Sequence, residues 1–78
     1  IYLLPDYMGR GVGKVLFQSV VAELMKMGYR NIYLWVLEEN LRARRFYEKE
    51  GFSETDDYLN DNIGGKDVRE IRYIYRVR

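Results

Sequence analysis

A glycine-rich stretch near the start of the chain has the residue types that bind an anion. Gly9, Gly11 and Gly13 occupy every second position in a stretch that lies between an apolar segment and the first turn of a predicted helix. Glycines without side chains let several backbone N–H groups converge on one anion, and the positive helix end adds about 0.3–1 kcal/mol per favourable charge. Arg10 and Lys14 add positive charge. The pattern favours binding of a pyrophosphate or a similar anion, and a simple tight turn is the alternative.

Two common nucleotide-binding patterns fit this stretch poorly. The P-loop pattern needs four residues between its glycines and then Lys-Ser or Lys-Thr, whereas Lys14 is followed by Val15. The dinucleotide pattern G-x-G-x-x-G fails because the third glycine, Gly13, comes one residue early.

A second group of polar residues lies on a predicted helix. Asn40 and Tyr47 are seven residues apart, which is two helical turns or about 10 Å along the axis, and Ala43 lies between them on the same face. Such a face offers an amide, a small residue and a hydroxyl to a long, thin ligand. The alternatives are that Asn40 is only a helix cap and that Tyr47 is a core aromatic residue.

The elements that must position these residues follow from apolar spacing and from breakers. The chain is predicted to form a mixed α/β sheet in the order strand, helix, strand, helix, strand, strand. The predicted elements are a strand over Ile1–Leu4, a helix from Val12 to a stop at Gly28, a strand over Asn31–Leu37, a helix over Leu41–Glu50 ended by Gly51, a strand over Phe52–Tyr58 and a strand over Arg69–Arg78.

Connections predict how these strands pair. Strands separated by helices are expected to be parallel neighbours, and the last two, joined by the loop Asn60–Gly65, to form an antiparallel hairpin. The strand Asn31–Leu37 alternates little, which predicts a central strand covered on both faces. In the first helix the apolar positions at helical spacing are Val15, Leu16, Val20, Leu24 and Met27, and in the last strand Ile71, Tyr73, Tyr75 and Val77 share one face.

Composition limits the classes of function. The 78 residues allow one small domain, and the net charge of +1 gives no field of one sign to attract nucleic acid or an anionic membrane. The absence of histidine and cysteine excludes histidine acid–base chemistry, cysteine nucleophiles and most zinc sites from this chain. A cytoplasmic protein without a metal, a membrane partner or a nucleic-acid partner is therefore expected.

Two stretches of the chain together resemble the signatures of the GNAT family of N-acetyltransferases. The stretch from Tyr7 to Lys14 is similar to the family's acetyl-CoA signature Q/R-x-x-G-x-G/A, and the stretch from Asn40 to Phe52 is similar to its pattern N-x-x-A-x-x-x-Y-x-x-x-G-F. They occur in the family's order, with the expected helix and strand between them. The resemblance implies that residues 1–78 form the C-terminal half of the GNAT fold, with the N-terminal half absent from this chain.

The resemblance also implies a set of site residues. Tyr47 would be the catalytic acid that protonates the departing thiolate, and a backbone N–H of the first strand would meet the oxyanion. The residues expected to bind acetyl-CoA are Leu3, Met8, Gly9, Arg10, Gly11, Val12, Gly13, Lys14, Asn40, Ala43 and Tyr47. Met8 is a departure, because the family has glutamine or arginine there, and the loss of that donor is expected to weaken binding.

The expected reaction is direct transfer of acetyl from acetyl-CoA to a primary amine on a small molecule or a peptide. The general base stays unassigned. The hairpin over Thr55–Asp67 is expected to shape the acceptor site, where Asp56, Asp57 and Asp61 could attract a cationic amine or form only a solvated acidic loop.

Two further questions stay open at this point. Arg42, Arg44 and Arg45 could reach the phosphates of the cofactor, but a solvated helix face fits most of them as well. The alternative to an enzyme is a non-catalytic module that binds CoA or associates with itself, and an unpaired first strand would allow a homodimer through the sheet edge.

Overall fold

The computed structural model describes residues 1–3 and 14–76 of the chain. These residues form a mixed α/β sheet with two helices, in the predicted element order. The elements are β1 (Tyr2–Leu3), α1 (Lys14–Lys26), β2 (Asn31–Leu37), α2 (Leu41–Lys49), β3 (Ser53–Ile63) and β4 (Lys66–Arg76). Expectations that concern residues 4–13 and Val77 lie outside the described residues.

The four strands of the described sheet lie in the order β1-β2-β4-β3. The pairing of β1 with β2 is parallel, with Tyr2 opposite Tyr33 and Leu3 opposite Leu34, and β3 pairs with β4 in an antiparallel hairpin. Both of these pairings confirm the prediction.

One expected neighbour is wrong. The second partner of β2 is β4, in antiparallel register from Asn31 opposite Arg76 to Leu37 opposite Glu70, and β3 lies at the edge. The physical reason is burial: Ile71, Tyr73 and Ile74 of β4 are buried, whereas β3 is almost entirely exposed. An interior position suits the apolar strand and an edge position suits the polar one, although α2 precedes β3 in the chain.

The expected loop over Asn60–Gly65 is also wrong, because β3 continues to Ile63 and only Gly64 and Gly65 form the turn. Polar side chains at the exposed edge do not prevent backbone pairing. Asn62 also stabilises the turn directly, since its Oδ1 accepts a hydrogen bond from the Gly65 N–H at 3.1 Å and its Nδ2 donates to Asp67 at 3.0 Å.

The core lies between the two helices and one face of the sheet. On that face β2 contributes Ile32, Leu34 and Val36, which are at most 4% exposed. The other buried members of the cluster are Phe17 of α1, Tyr47 of α2, Phe52, and Ile71 and Tyr73 of β4.

The buried side of α1 differs from the expected stripe. Val15, Leu16 and Met27 are 76%, 52% and 67% exposed. Leu24 of the expected stripe does pack against the core, but it does so together with Phe17 and Val21, which lie seven and three positions before it. Two apolar stripes compete on this helix. The stripe that contains the largest side chain, Phe17, fills the space above the sheet.

The opposite face of β2 is covered less than the sequence predicted. Tyr33 and Trp35 are half-buried, and within the described residues both helices lie on the other side of the sheet. The Arg72 guanidinium stacks over the Tyr33 ring at 4.8 Å, donates to the Tyr2 hydroxyl at 3.2 Å and pairs with Asp57. Among the described residues, this face is therefore shielded by an arginine and aromatic rings.

The two glycines that end the helices allow a matched test of the fold. Gly51 has φ +99°, and an added Cβ would lie 2.9 Å from Tyr75 Cε2, whereas Gly28 has φ +94° and nothing within 4 Å of the same position. We expect Gly28→Ala to lower the free energy of unfolding by about 1–3 kcal/mol through backbone strain. Gly51→Ala should cost about 1–3 kcal/mol more, because Tyr75 must move. Urea unfolding measures both variants, and equal losses would contradict the proposed contact with Tyr75.

Candidate functional site

Asn40 caps the N-terminus of α2. Its Oδ1 accepts a hydrogen bond from the Ala43 backbone N–H at 3.1 Å, which confirms the predicted cap. The cap uses only the oxygen of the side chain. The Asn40 NH₂ group takes no part in it, and the residue is exposed, so this amide is able to donate to a ligand at the start of the helix.

Tyr47 lies in the aromatic core and is only 2% exposed. Its ring centroid is 5.7 Å from that of Phe17, 5.6 Å from that of Phe46 and 6.0 Å from that of Phe52. Burial raises the pKa of Tyr47 above its ordinary value. The core packing that the sequence left open for this residue is therefore real, and the hydroxyl keeps its proton at neutral pH.

Ala43 lies one turn before Tyr47 and is half-buried against the core. α2 thus carries an amide at its first turn, a methyl group in the middle and a protonated phenol near its last turn. The acid function of Tyr47 stays a prediction. Protonation is what an acid needs, but the raised pKa also makes the donation of that proton costlier.

The remaining expected ligand residues divide into two groups. Met8, Gly9, Arg10, Gly11, Val12 and Gly13 lie outside the described residues, so the glycine loop stays a prediction. Lys14 is the exposed first residue of α1, and Leu3 is the half-buried last residue of β1. The ring of Phe17 contacts the ring of Tyr47, so α1 packs directly against α2.

Arg44 connects α2 to the sheet through polar contacts, a role that the sequence did not predict. Its Nε donates to the Tyr73 hydroxyl at 3.0 Å, its Nη1 to the Glu38 carbonyl oxygen at 3.0 Å and its Nη2 to Glu54 Oε1 at 3.1 Å. Tyr73 in turn donates to Glu48 Oε2 at 2.7 Å. We call these five residues the Arg44 network.

The charge states of the Arg44 network follow from its contacts. The hydrogen bond to Tyr73 raises the pKa of Arg44, so the guanidinium stays charged. Burial is the main cause that raises the pKa of Tyr73, and the bond from Arg44 acts in the opposite direction. The only sequence signal for this network was the i, i+4 spacing of Arg44 and Glu48, which is typical of a solvated ion pair.

An open cleft of 710 Å³ lies between the end of β2 and the end of the β3–β4 hairpin. The residues that line it are Glu38, Glu39, Asn60, Asp61, Asn62, Asp67, Val68 and Arg69. Of the three predicted acidic candidates only Asp61 lines this cleft, while Asp57 pairs with Arg72 on another part of the hairpin.

Three of the four carboxylates of the cleft have side-chain partners. Glu39 pairs with Lys66 at 3.1 Å, Glu38 with Arg69 at 3.8 Å, and Asp67 accepts from Asn62 at 3.0 Å. These contacts reduce the attraction that the cleft exerts on a cation.

Among residues 1–3 and 14–76, no helix has the length and apolar content to cross a membrane. In the same part of the chain, no group of three or more acidic, histidine or cysteine side chains is placed to hold a metal ion.

The sequence and the structure are both similar to known acetyltransferases. The model of the acetyltransferase (GNAT) family matches residues 1–52. The ribosomal protein bS18-alanine N-acetyltransferase of Haemophilus influenzae is 39% identical over 96% of this chain, which spans 53% of that relative. A mycothiol acetyltransferase of Geodermatophilus obscurus is 38% identical over 68% of this chain and 18% of its own length.

The solved structure of NAA60 of Arabidopsis thaliana in complex with a bisubstrate analogue superposes with a TM-score of 0.73. It is 26% identical, and the match covers 99% of this chain and 49% of NAA60. The chain therefore spans about half the length of the first relative and of this solved structure.

The raised pKa of Tyr47 leads to an expected alkaline loss of stability. The folded state holds the proton more tightly than the unfolded state, so this contribution is complete below about pH 10 and is lost as pH rises through the folded pKa. Tyr47→Phe should make the decline in unfolding free energy above pH 10 shallower, by at most about 1.4 kcal/mol per pH unit. Urea unfolding between pH 8 and 11 measures the slope, with the exposed Tyr29→Phe as control. Equal slopes for both variants would contradict the expectation.

Proposed function

The chain belongs to the acetyltransferase (GNAT) family, and from this premise we propose that it is the acetyl-CoA-binding part of an N-acetyltransferase. The reaction is direct transfer of acetyl from acetyl-CoA to a primary amine. The observation that carries the proposal is the face of α2, where a cap leaves the Asn40 amide able to donate, Ala43 has a small side chain and Tyr47 holds a protonated hydroxyl.

The proposed division of roles follows the chemistry of the cofactor. Backbone amides of Gly9, Gly11 and Gly13, with the positive end of α1 at Lys14, bind the pyrophosphate. The Asn40 NH₂ group holds the pantetheine arm, and the small side chain of Ala43 lets that arm approach the helix. The Asn40 oxygen is already committed to the cap, so the donor that remains matches the carbonyl acceptors of the arm.

In the proposed reaction, the nitrogen of the neutral amine forms a bond to the acetyl carbonyl carbon, the carbon–sulfur bond breaks, and the nitrogen loses one proton to a base that stays unassigned, so that the product is a neutral amide. The sulfur leaves as a thiolate, and the Tyr47 hydroxyl gives it a proton. With ordinary pKa values near 10 for tyrosine and 8.5 for a thiol, this transfer is uphill by about 2 kcal/mol. Burial of Tyr47 adds to that cost, so the sulfur must lie within hydrogen-bond distance of the hydroxyl.

The proposed acceptor is an amine on a peptide or a small molecule. The name of the Haemophilus influenzae relative gives alanine on a ribosomal protein as its acceptor. Cytoplasmic location and self-association stay predictions.

A calorimetric titration of the protein with acetyl-CoA tests the assignment of the loop and of Tyr47. Gly11→Ala should weaken binding by about tenfold or more, because a side chain blocks the approach of the backbone to the pyrophosphate. Tyr47→Phe should bind almost as well as the native protein and should lower kcat by about 10²-fold or more, since it removes the acid and keeps the ring.

The outcomes separate the enzyme from the alternative. Loss of binding in both variants would contradict a chemical role for Tyr47 and would favour a packing role. Binding without transfer to any amine would favour the non-catalytic CoA-binding module.

A second variant tests the departure at Met8. Met8→Gln restores a side-chain donor at the first position of the acetyl-CoA signature, so the dissociation constant for acetyl-CoA should fall. The same titration measures it, with Met27→Gln in the exposed turn after α1 as the control. An unchanged dissociation constant would show that the backbone amides of the loop are sufficient.

A further inference from the structure

We propose that Arg44 is a positioning residue for the acetyl transfer: through the Arg44 network it sets where Asn40 and Tyr47 lie relative to the sheet. This inference rests on the proposed function and extends it to a residue that touches neither the cofactor nor the reacting atoms.

Arg44 joins α2 to three other segments at once. Its guanidinium binds the Glu38 carbonyl oxygen at the end of β2, the Glu54 carboxylate on β3 and the Tyr73 hydroxyl on β4. Its side chain is 23% exposed, so these contacts are partly shielded from water. One side chain thus connects the helix by hydrogen bonds to the turn after β2, to β3 and to β4.

The bond to Glu38 holds the turn that leads into the helix. Glu38 precedes Asn40 by two residues, and the Asn40 backbone N–H donates to the Leu37 carbonyl oxygen at 2.9 Å in the same turn. Arg44 thereby restrains the end of β2 from the first turn of the helix that begins there. Asn40 lies in the chain between Glu38 and Arg44, the two residues that this hydrogen bond joins.

The bond to Tyr73 holds the second half of the helix. The Tyr73 side chain is fully buried, and its hydroxyl lies between Arg44 and Glu48, which are one turn apart on α2. Glu48 directly follows Tyr47. These two hydrogen bonds to Tyr73 therefore restrain rotation of the helix about its axis. One of them lies directly beside Tyr47, which is proposed to donate the proton.

Arginine suits this position for a geometric reason. The three acceptors lie in three directions around one planar group, and a guanidinium presents donors in a fixed fork. A lysine keeps the positive charge, but its single ammonium group cannot reach all three acceptors in the same arrangement. The substitution Arg44→Lys therefore removes the geometry and keeps the charge.

The helix also provides a matched control. Arg45 is the next residue, is exposed and donates to none of the residues that the structure describes. Arg45→Lys makes the same chemical change without removing any hydrogen bond of the Arg44 network.

The experiment measures kcat for acetyl transfer and the dissociation constant of acetyl-CoA for the complete protein, well below its melting temperature. A displacement near 1 Å of a catalytic group costs about 100-fold in rate, so Arg44→Lys should lower kcat between about 10- and 100-fold. Acetyl-CoA binding should weaken only a few-fold, because the loop is unchanged. Arg45→Lys should match the native protein.

A double-mutant cycle separates positioning from general stability. If Arg44 acts through Tyr47, the loss caused by Arg44→Lys should nearly disappear in a Tyr47→Phe background, where there is no acid to misplace. Tyr73→Phe is a second variant that keeps the buried ring and removes the bridging hydroxyl. It should lower kcat in the same Tyr47-dependent way, and it serves the test if Arg44→Lys does not fold.

Each outcome decides the matter. A native kcat in both folded variants would overturn the positioning role and leave the proposed function intact. A loss of the same size with Tyr47 and with Phe at position 47 would also overturn it, because Arg44 would then not act through the acid. A native protein that neither binds acetyl-CoA nor transfers acetyl would overturn the proposed function, and the positioning role with it.

Discussion

Phe17 is enclosed between α1, α2 and the sheet, with its ring 5.3 Å from that of Phe46 and 5.7 Å from those of Tyr47 and Phe52. It is the one buried residue of α1. Aromatic pairs of this kind contribute about 0.5–1.5 kcal/mol each beyond the area they bury. The position of α1 therefore depends mainly on this side chain, with Val21 and Leu24 packed beside it.

The helix α2 is held in two chemically different ways. On its apolar side Tyr47 packs against Phe17, and on its polar side Arg44 and Glu48 bind the hydroxyl of Tyr73. Apolar packing resists separation of the helix from the sheet but restrains rotation weakly, because it is not directional. Hydrogen bonds restrain rotation because they are directional. The two sets of contacts together fix the face that carries Asn40 and Ala43.

Tyr47, the acid that we propose, is under two opposing demands. Packing places Tyr47 among aromatic rings and raises its pKa, while proton donation is easier from a group with a lower pKa. An exact placement of the acceptor sulfur is one way to satisfy both demands, because proximity offsets an unfavourable proton transfer. This relation explains why a residue as distant from the chemistry as Arg44 would matter to the rate.

Local interactions were readable from the residues themselves. The Asn40 cap, the helix ends at Gly28 and Gly51 and the strand Asn31–Leu37 depend on neighbours a few positions away, and the structure has them where they were predicted. The family signature over Asn40–Phe52 belongs to the same class, because its residues lie on one helix and its end. The conformation of the glycine loop lies outside what the structure describes.

Only the tertiary structure decided which segments compete for the same place. β4 lies between β2 and β3 because Ile71 and Tyr73 gain more from burial than the polar side chains of β3 do. Phe17 rather than Val15 faces the core because its larger ring fills the space above the sheet. Arg44 donates a hydrogen bond to the hydroxyl of Tyr73, which lies 29 positions further along the chain. Sequence spacing determines what a segment can form, but burial and long-range hydrogen bonds depend on partners that only the folded chain brings together.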